Sequence, residues 1–401
     1  MSQVKLTKVR ALVALAILAS LLSVAKFSHC ANTGWATPDQ YIHACYSDLP
    51  ALFGARELNT QQWPFASDDN SVEYPVLTAM VMYATSFAAD SPVSYFNINI
   101  FFLIILFIAT VIAVRKIRSE FAYLVPVAPA MIASLFINWD LWAIASMMLA
   151  IYWFDRKQFL GSAVLLGVSI STKFLPIFLL IPIAFILWRE AKIKEAIKYV
   201  AITFGIWTAI NLPFALTTPT GWWRFYKLNL DRGPDWGSIW LALQQLGVNF
   251  TNLNYLSILL LLIAITAIAV LLFELKYTPS LASVAFFVIA SVMLASKVYS
   301  PQYVLWLTPL AVIALTNTKD LHAFWLWQTT ETIYHIAIWQ HLAQVTDAKF
   351  GLGPTPFAIL TLLRIAGTIY LMAVLARRAL QARNTHSKLL DLLFEGSKAY
   401  P

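Results

Sequence analysis

The run from Tyr255 to Leu272, YLSILLLLIAITAIAVLL, decides the fold. It holds no charged residue, no Pro and no Gly, and its apolar residues follow one another without the alternation of a strand. As a helix it is about 27 Å long at 1.5 Å per residue, close to the ~30 Å of hydrocarbon in a bilayer. Every backbone polar group at that depth must be satisfied internally, which leaves helices or a closed barrel. Leu, Ile and Ala without alternation select helices.

Working outward, comparable runs recur along the chain. They fall near Val9–Lys26, Phe96–Val114, Phe121–Phe136, Leu141–Phe154, Phe159–Thr172, Phe174–Trp188 and Ala196–Phe214. Beyond the opening run come Leu281–Ser296, Tyr303–Leu315, Ala323–Trp339 and Phe357–Ala376. The expectation is an all-α polytopic membrane protein of about twelve spans, several shorter than the ~20 residues of an upright helix. Short or Pro-interrupted helices of this kind line cavities within a bundle. Residues 1–376 read as one transmembrane domain, and 377–401 as a basic tail, either a short surface helix or disorder.

Composition agrees. The 401 residues are 60% hydrophobic and 12% charged, with mean hydropathy +0.69, where a soluble domain carries about a quarter charged residues. The formal charge is +8, but its distribution says more than its sum. Lys and Arg cluster at Lys5–Arg10, Arg115–Arg118, Arg156–Lys157, Arg189–Lys198, Lys276, Lys319 and Arg377–Lys388. Those clusters occupy alternate connections, which is the topology signal of a cytoplasmic face and not a nucleic-acid surface. Both termini are then cytoplasmic in a plasma membrane. The apolar stretch Ala11–Ala25 lacks a small-x-small cleavage site and reads as an uncleaved first span.

Two polar segments fall on the other face, near 27–90 and 217–254. The first holds both cysteines, Cys30 and Cys45. An oxidising compartment permits a disulfide between them, and two free thiols are the alternative. The second is rich in Trp and Tyr, which suits an interfacial aromatic belt as well as a sugar-binding surface. The six histidines are scattered in the sequence, and no His/Cys/Asp run shows metal-ligand spacing. No P-loop or dinucleotide-binding glycine pattern is present.

The chemically interesting residues gather on that same face: Asp48, Glu73 with Tyr74, Asp140, Lys173, Lys297 with Gln302 and Tyr303, and Glu331 with His335. Glu331 and His335 are four apart, on one face of a helix. Ionisable groups near a membrane face a cavity or pair with one another. A carboxylate takes a proton from an attacking hydroxyl, and cations stabilise a departing phosphate. Each residue also has a structural reading. Asp48 before Leu49-Pro50 suits a helix cap, Lys173 and Lys297 suit snorkelling to headgroups, and Glu331 with His335 suits a polar pair inside the bundle.

Five short motifs in order, Cys45-Tyr-Ser-Asp48-Leu-Pro50, Val72-Glu73-Tyr74-Pro75, Asn138-Trp-Asp140, Thr172-Lys173-Phe-Leu-Pro176 and Lys297-Val-Tyr-Ser-Pro301-Gln302-Tyr303, resemble glycosyltransferase family 87. This is a GT-C-type group, notable in actinobacteria, of polyprenyl-phosphate-mannose-dependent mannosyltransferases and related arabinofuranosyltransferases. The resemblance runs over nearly the whole chain and weakens in the tail. It implies a GT-C-type bundle with short amphipathic helices in the first extracytoplasmic loop. It also implies Asp48 as general base, and Lys173, Lys297 and His335 around the donor phosphate. Glu73, Tyr74, Asp140, Gln302, Tyr303 and Glu331 would line the site. The implied reaction moves a sugar, mannose first and arabinofuranose second, from a polyprenyl-phosphate donor with inversion. The acceptor would be a glycolipid or envelope glycan at the extracytoplasmic face. The leaving group carries its own phosphate, so the chemistry does not demand a divalent metal or other cofactor. The competing class is a secondary transporter or lipid-linked sugar flippase, whose charges would lie at the midplane and whose halves would be related by repeats.

Overall fold

Proline decides where the apolar runs break. Pro129 disfavours helical backbone at the residue before it, and Ala128 is extended at φ −68°, ψ 119°. In the computed structural model, which describes residues 8–66 and 70–395, the span expected over 121–136 is therefore two short pieces. Lys5, Asp68, Asp69 and the end of the tail, 396–401, lie outside the described residues.

The helices, in chain order, are α1 (Val9–Thr33), α2 (Asp39–Ile42), α3 (Asp48–Ala55), α4 (Val76–Ser86), α5 (Pro92–Ile117), α6 (Leu124–Val127), α7 (Pro129–Ser134), α8 (Asp140–Asp155) and α9 (Phe159–Thr172). There follow α10 (Leu180–Arg189), α11 (Ile193–Thr217), α12 (Pro219–Asp231), α13 (Ile239–Gln245), α14 (Leu253–Glu274), α15 (Leu281–Ala295), α16 (Val304–Ala314), α17 (Leu321–Val345) and α18 (Pro354–Glu395). No strand occurs among the described residues, so the all-α expectation holds. Helix α18 runs through residue 376 without a break.

Five helices, α1, α5, α11, α14 and the 354–381 part of α18, are long and apolar enough to cross a membrane. The other apolar helices are of 10–17 residues. Exposure separates two kinds. Ile258, Leu259, Leu262 and Ile263 of α14 each expose more than half of their surface, which in a polytopic membrane protein means contact with lipid. Every residue of α16 is buried, so this short helix is enclosed by other helices and its backbone never meets hydrocarbon.

Close packing uses small residues, as in membrane bundles generally. A Cβ on Gly167 of α9 would lie 2.8 Å from Ile206 Cβ of α11, and one on Gly367 of α18 would lie 2.2 Å from Thr330 Oγ1 of α17. The bundle also holds one fully buried ion pair that fixes a loop. Arg364 Nε donates to Glu331 Oε2 at 2.8 Å, while its Nη1 and Nη2 donate to the carbonyls of Tyr299 (2.5 Å) and Ser300 (3.1 Å). Tyr299 Oη and Trp327 Nε1 donate to Glu331 Oε1 at 3.0 and 3.2 Å. Arg364 thus ties α18 and α17 to the segment between α15 and α16.

Breaking a buried pair from one side leaves an uncompensated charge, at a cost of about 3–5 kcal/mol. Arg364→Met is expected to lower the melting temperature of the detergent-solubilised protein sharply, and Arg364→Met with Glu331→Gln to recover part of the loss. A thermal-melt comparison of the three proteins checks this.

Candidate functional site

Ser47, not Asp48, caps α3. Its Oγ accepts from Leu49 N at 3.2 Å and lies 2.8 Å from the Phe136 carbonyl, to which it donates. Asp48 N donates to the Ile137 carbonyl at 2.7 Å. The backbone around Asp48 is thereby stitched to the 136–137 turn, and its carboxylate is free of the capping task. It points instead into a cavity of about 270 Å³ walled by Tyr46, Glu73, Tyr74, Asn138, Lys173, Phe225, Asn229, Arg232, Ser300, Gln302 and Tyr303, among others.

Within that cavity Tyr46 Oη donates to Asp48 Oδ1 at 2.8 Å and Tyr74 Oη to Oδ2 at 3.2 Å. Withdrawal from bulk water pushes the Asp48 carboxyl up to about 6, against the opposing pull of the Tyr46 bond, the Lys173 charge and the Tyr74 bond. The shift is toward the range in which carboxylates act as general bases.

Lys173 caps the end of α9 with extended backbone, φ −147° and ψ 136°, which swings its side chain back over the start of α8. Its Nζ lies 2.8 Å from Asp140 Oδ1 and 4.6 Å from the centre of the Tyr74 ring. Asp140 is fully buried and also accepts from Trp306 Nε1 of α16 at 2.9 Å. Asn138 Oδ1 accepts from Asp140 N at 2.9 Å, while its buried Nδ2 has no partner in the protein. That leaves an unused donor on a cavity-lining residue.

The structure brings Asp48, Glu73, Tyr74, Lys173, Gln302 and Tyr303 into one cavity, with Asp140 immediately behind Lys173. Glu73 is engaged by Arg56, at 2.5 Å from Nε and 2.6 Å from Nη2. Three expected residues stand elsewhere. Lys297 is drawn to the Leu230 carbonyl at 3.0 Å and opens on a neighbouring cavity. Arg232, ion-paired with Asp235, lines both cavities. Glu331 is one layer behind, held by Arg364. His335 lies 2.9 Å from Lys26 Nζ and 3.2 Å from Ser134 Oγ in the bundle interior. The four-residue spacing did align Glu331 with His335, but their helix face is turned into the bundle, toward α18, α7 and α1.

Arg232, Tyr46 and Asn138 line the cavity as well, and Arg56 holds Glu73. Arg232 lies in an aromatic segment without a recognisable motif, whereas Tyr46 and Asn138 lie inside the Cys45–Pro50 and Asn138–Asp140 motifs. Cys30 and Cys45 are joined as a disulfide, with Cα atoms 5.9 Å apart. The histidines scattered in sequence are not all scattered in space, since His29 and His43 meet at Asp39, outside this cavity.

No known sequence family and no characterised relative matches the chain. Among solved structures it is similar to ArnT from Cupriavidus metallidurans bound to undecaprenyl phosphate, with TM-score 0.46 and 13% identity over 92% of this chain and 76% of that one. The apo ArnT structure gives 0.42 and 14% over 81% and 71%.

The Lys173–Asp140 pair is the part of the site most exposed to mutation. Lys173→Met would leave Asp140 buried without its counter-charge and destabilise the protein by about 3 kcal/mol. Lys173→Met with Asp140→Asn is expected to restore much of the stability, as read by thermal melts of both variants.

Proposed function

We propose that this protein is a membrane glycosyltransferase that moves a sugar from a polyprenyl-phosphate donor to a hydroxyl of a glycolipid or envelope glycan. The observation that carries the reading is a carboxylate, Asp48, held by two tyrosine hydroxyls and sharing one cavity with two cations, Lys173 and Arg232. Asp48 takes the proton of the acceptor hydroxyl as its oxygen attacks the anomeric carbon. The bond from that carbon to the phosphate oxygen breaks with inversion, and the polyprenyl phosphate leaves with the electron pair. Lys173 and Arg232 balance the charge that develops on it. The Asn138 amide is placed to donate to a sugar or phosphate oxygen.

A second cavity of about 370 Å³ shares Lys173, Phe225, Asn229 and Tyr303 with the first and continues along Phe174, Leu175, Phe178, Trp223 and Tyr226. Its mixed aromatic and aliphatic wall suits the first isoprene units of a lipid donor. Mannose is the sugar favoured by the resemblance of the motifs, with arabinofuranose the alternative.

Orientation follows from charge. The helix ends opposite the cavity collect the loop cations: Lys157 pairs with Glu190 at 2.9 Å, Arg378 with Asp320 at 2.6 Å, and Arg118 Nη1 donates to the Ile313 carbonyl at 3.3 Å. By the positive-inside rule that end is cytoplasmic, and the Asp48 cavity opens outward. The short buried helices then complete a bundle of about twelve crossings. A transporter would carry its ionisable groups near the middle of the spans, whereas Asp48, Asp140 and Lys173 sit at helix ends.

Purified protein incubated with polyprenyl-phosphate-mannose, polyprenyl-phosphate-arabinofuranose and envelope glycolipids is expected to yield a glycosylated lipid detectable by mass spectrometry. Asp48→Asn should reduce turnover by roughly 10²–10⁴-fold with little change in donor affinity, and full activity in that variant would remove Asp48 as the base.

The pH profile is a separate test. Asp48 acts ionised, so kcat/KM is expected to be level above about pH 6 and to fall about tenfold per unit below it. Tyr46→Phe deletes a donor that favours the ionised carboxylate, so its acid limb should move to higher pH.

A further inference from the structure

Outside the cavity, three side chains converge at the end of α1. His29 lies one turn before the end of that helix, Asp39 opens α2, and His43 follows α2. His29 Nε2 is 2.8 Å from Asp39 Oδ2, and His43 Nδ1 is 3.0 Å from Asp39 Oδ1. The imidazole rings face each other with centroids 3.7 Å apart. The three donor atoms all lie within 4.8 Å of one another, a grouping found nowhere else among the described residues.

A surface network of two histidines on one aspartate would explain the contacts, but three features go beyond it. First, the donor set of two imidazoles and a carboxylate is that of a zinc-class ion, which takes three protein ligands and leaves a fourth position to water. Ligands at 2.0–2.1 Å around a tetrahedral ion are about 3.3 Å apart, within the 4.8 Å that encloses these three donor atoms and close to the two His–Asp contacts of 2.8 and 3.0 Å. Second, the carboxylate has an outer partner of the kind that orients metal ligands, since Thr33 Oγ1 donates to Asp39 Oδ2 at 3.0 Å.

Third, the backbone is already held in place. His29 adjoins Cys30, and His43 is two residues before Cys45, its disulfide partner. Trp35 Nε1 donates to the Cys45 carbonyl at 3.1 Å, and Gln340 Nε2 of α17 to the Ile42 carbonyl at 3.1 Å. The entropy of closing the ligand loop has been met before any ion arrives.

We propose that His29, Asp39 and His43 bind a divalent transition-metal ion of the zinc class. The ion would brace α2 against the end of α1. Tyr41 of α2 stacks on Tyr46 at 5.6 Å, and Tyr46 is the donor to Asp48, so the clip would steady one wall of the cavity from outside.

Zinc chloride titrated by calorimetry into the untagged, chelator-treated full-length protein in detergent tests this. One ion per chain is expected, unaffected by excess Mg²⁺ or Ca²⁺, which prefer oxygen ligands. Loss of one of three protein ligands should weaken binding at least about tenfold, so His29→Gln and His43→Gln, which keep a polar side chain of similar reach, should each show it. Asp39→Asn should do the same. Zinc-free thermal melts matching wild type would show that these variants are folded, and any that is not is replaced by the other two. No binding by wild type, or equal affinity in the folded variants, overturns the proposal.

Discussion

The ion pair between Lys173 and Asp140 is the constraint on which the cavity depends. A carboxylate as buried as Asp140 would cost several kcal/mol without a counter-charge. The end of α9 must therefore stay beside the start of α8, and Trp306 of α16 closes the third side. From that junction the rest of the cavity follows by contact. Lys173 lies on the Tyr74 ring, Tyr74 donates to Asp48, and Asn138, two residues before Asp140, both accepts from its backbone and lines the wall. Lys173 serves packing and charge together, lying on the Tyr74 ring while it neutralises Asp140.

The bundle treats its charged residues by place. At the end away from the cavity, Lys157–Glu190 is a partly exposed surface pair worth little by itself, whereas Arg378 meets a buried Asp320. Glu331–Arg364 is enclosed and holds the carbonyls of Tyr299 and Ser300, which places Gln302 and Tyr303 at the cavity wall. Asp48 is the exception: its partners are neutral phenols, and the nearest cation is committed to Asp140. Withdrawal from bulk water pushes its carboxyl up to about 6, although both phenols and the Lys173 charge pull the other way.

Inequality among the helices has a physical purpose. Helices such as α14 turn their apolar side chains to lipid and carry no chemistry. Short, enclosed helices such as α16 are broken by Pro or begin in 3₁₀ turns, and those breaks bring polar backbone and side chains to the cavity end. Irregular backbone at that depth is tolerable only where protein or water covers it, so the breaks and the cavity come together.

The sequence by itself determined the membrane class and the helical architecture. Those follow from local composition: uncharged runs such as Tyr255–Leu272, and loop charges that alternate along the chain. It also placed Asp48, Tyr74, Lys173, Gln302 and Tyr303 near one another, because motifs at successive turns on one face must be neighbours. Only the tertiary structure decided which charges were committed to each other. Glu331 and His335 share a helix face in sequence, yet one belongs to Arg364 and the other to Lys26. Lys297 sits in a fitting motif but is drawn to the Leu230 carbonyl, while Arg232, paired with Asp235, lines the Asp48 cavity. His29, Asp39 and His43 have no motif at all, and a disulfide and a loop fold make them neighbours. Pairing among buried polar groups depends on distances between segments far apart in the chain, and no local spacing encodes it.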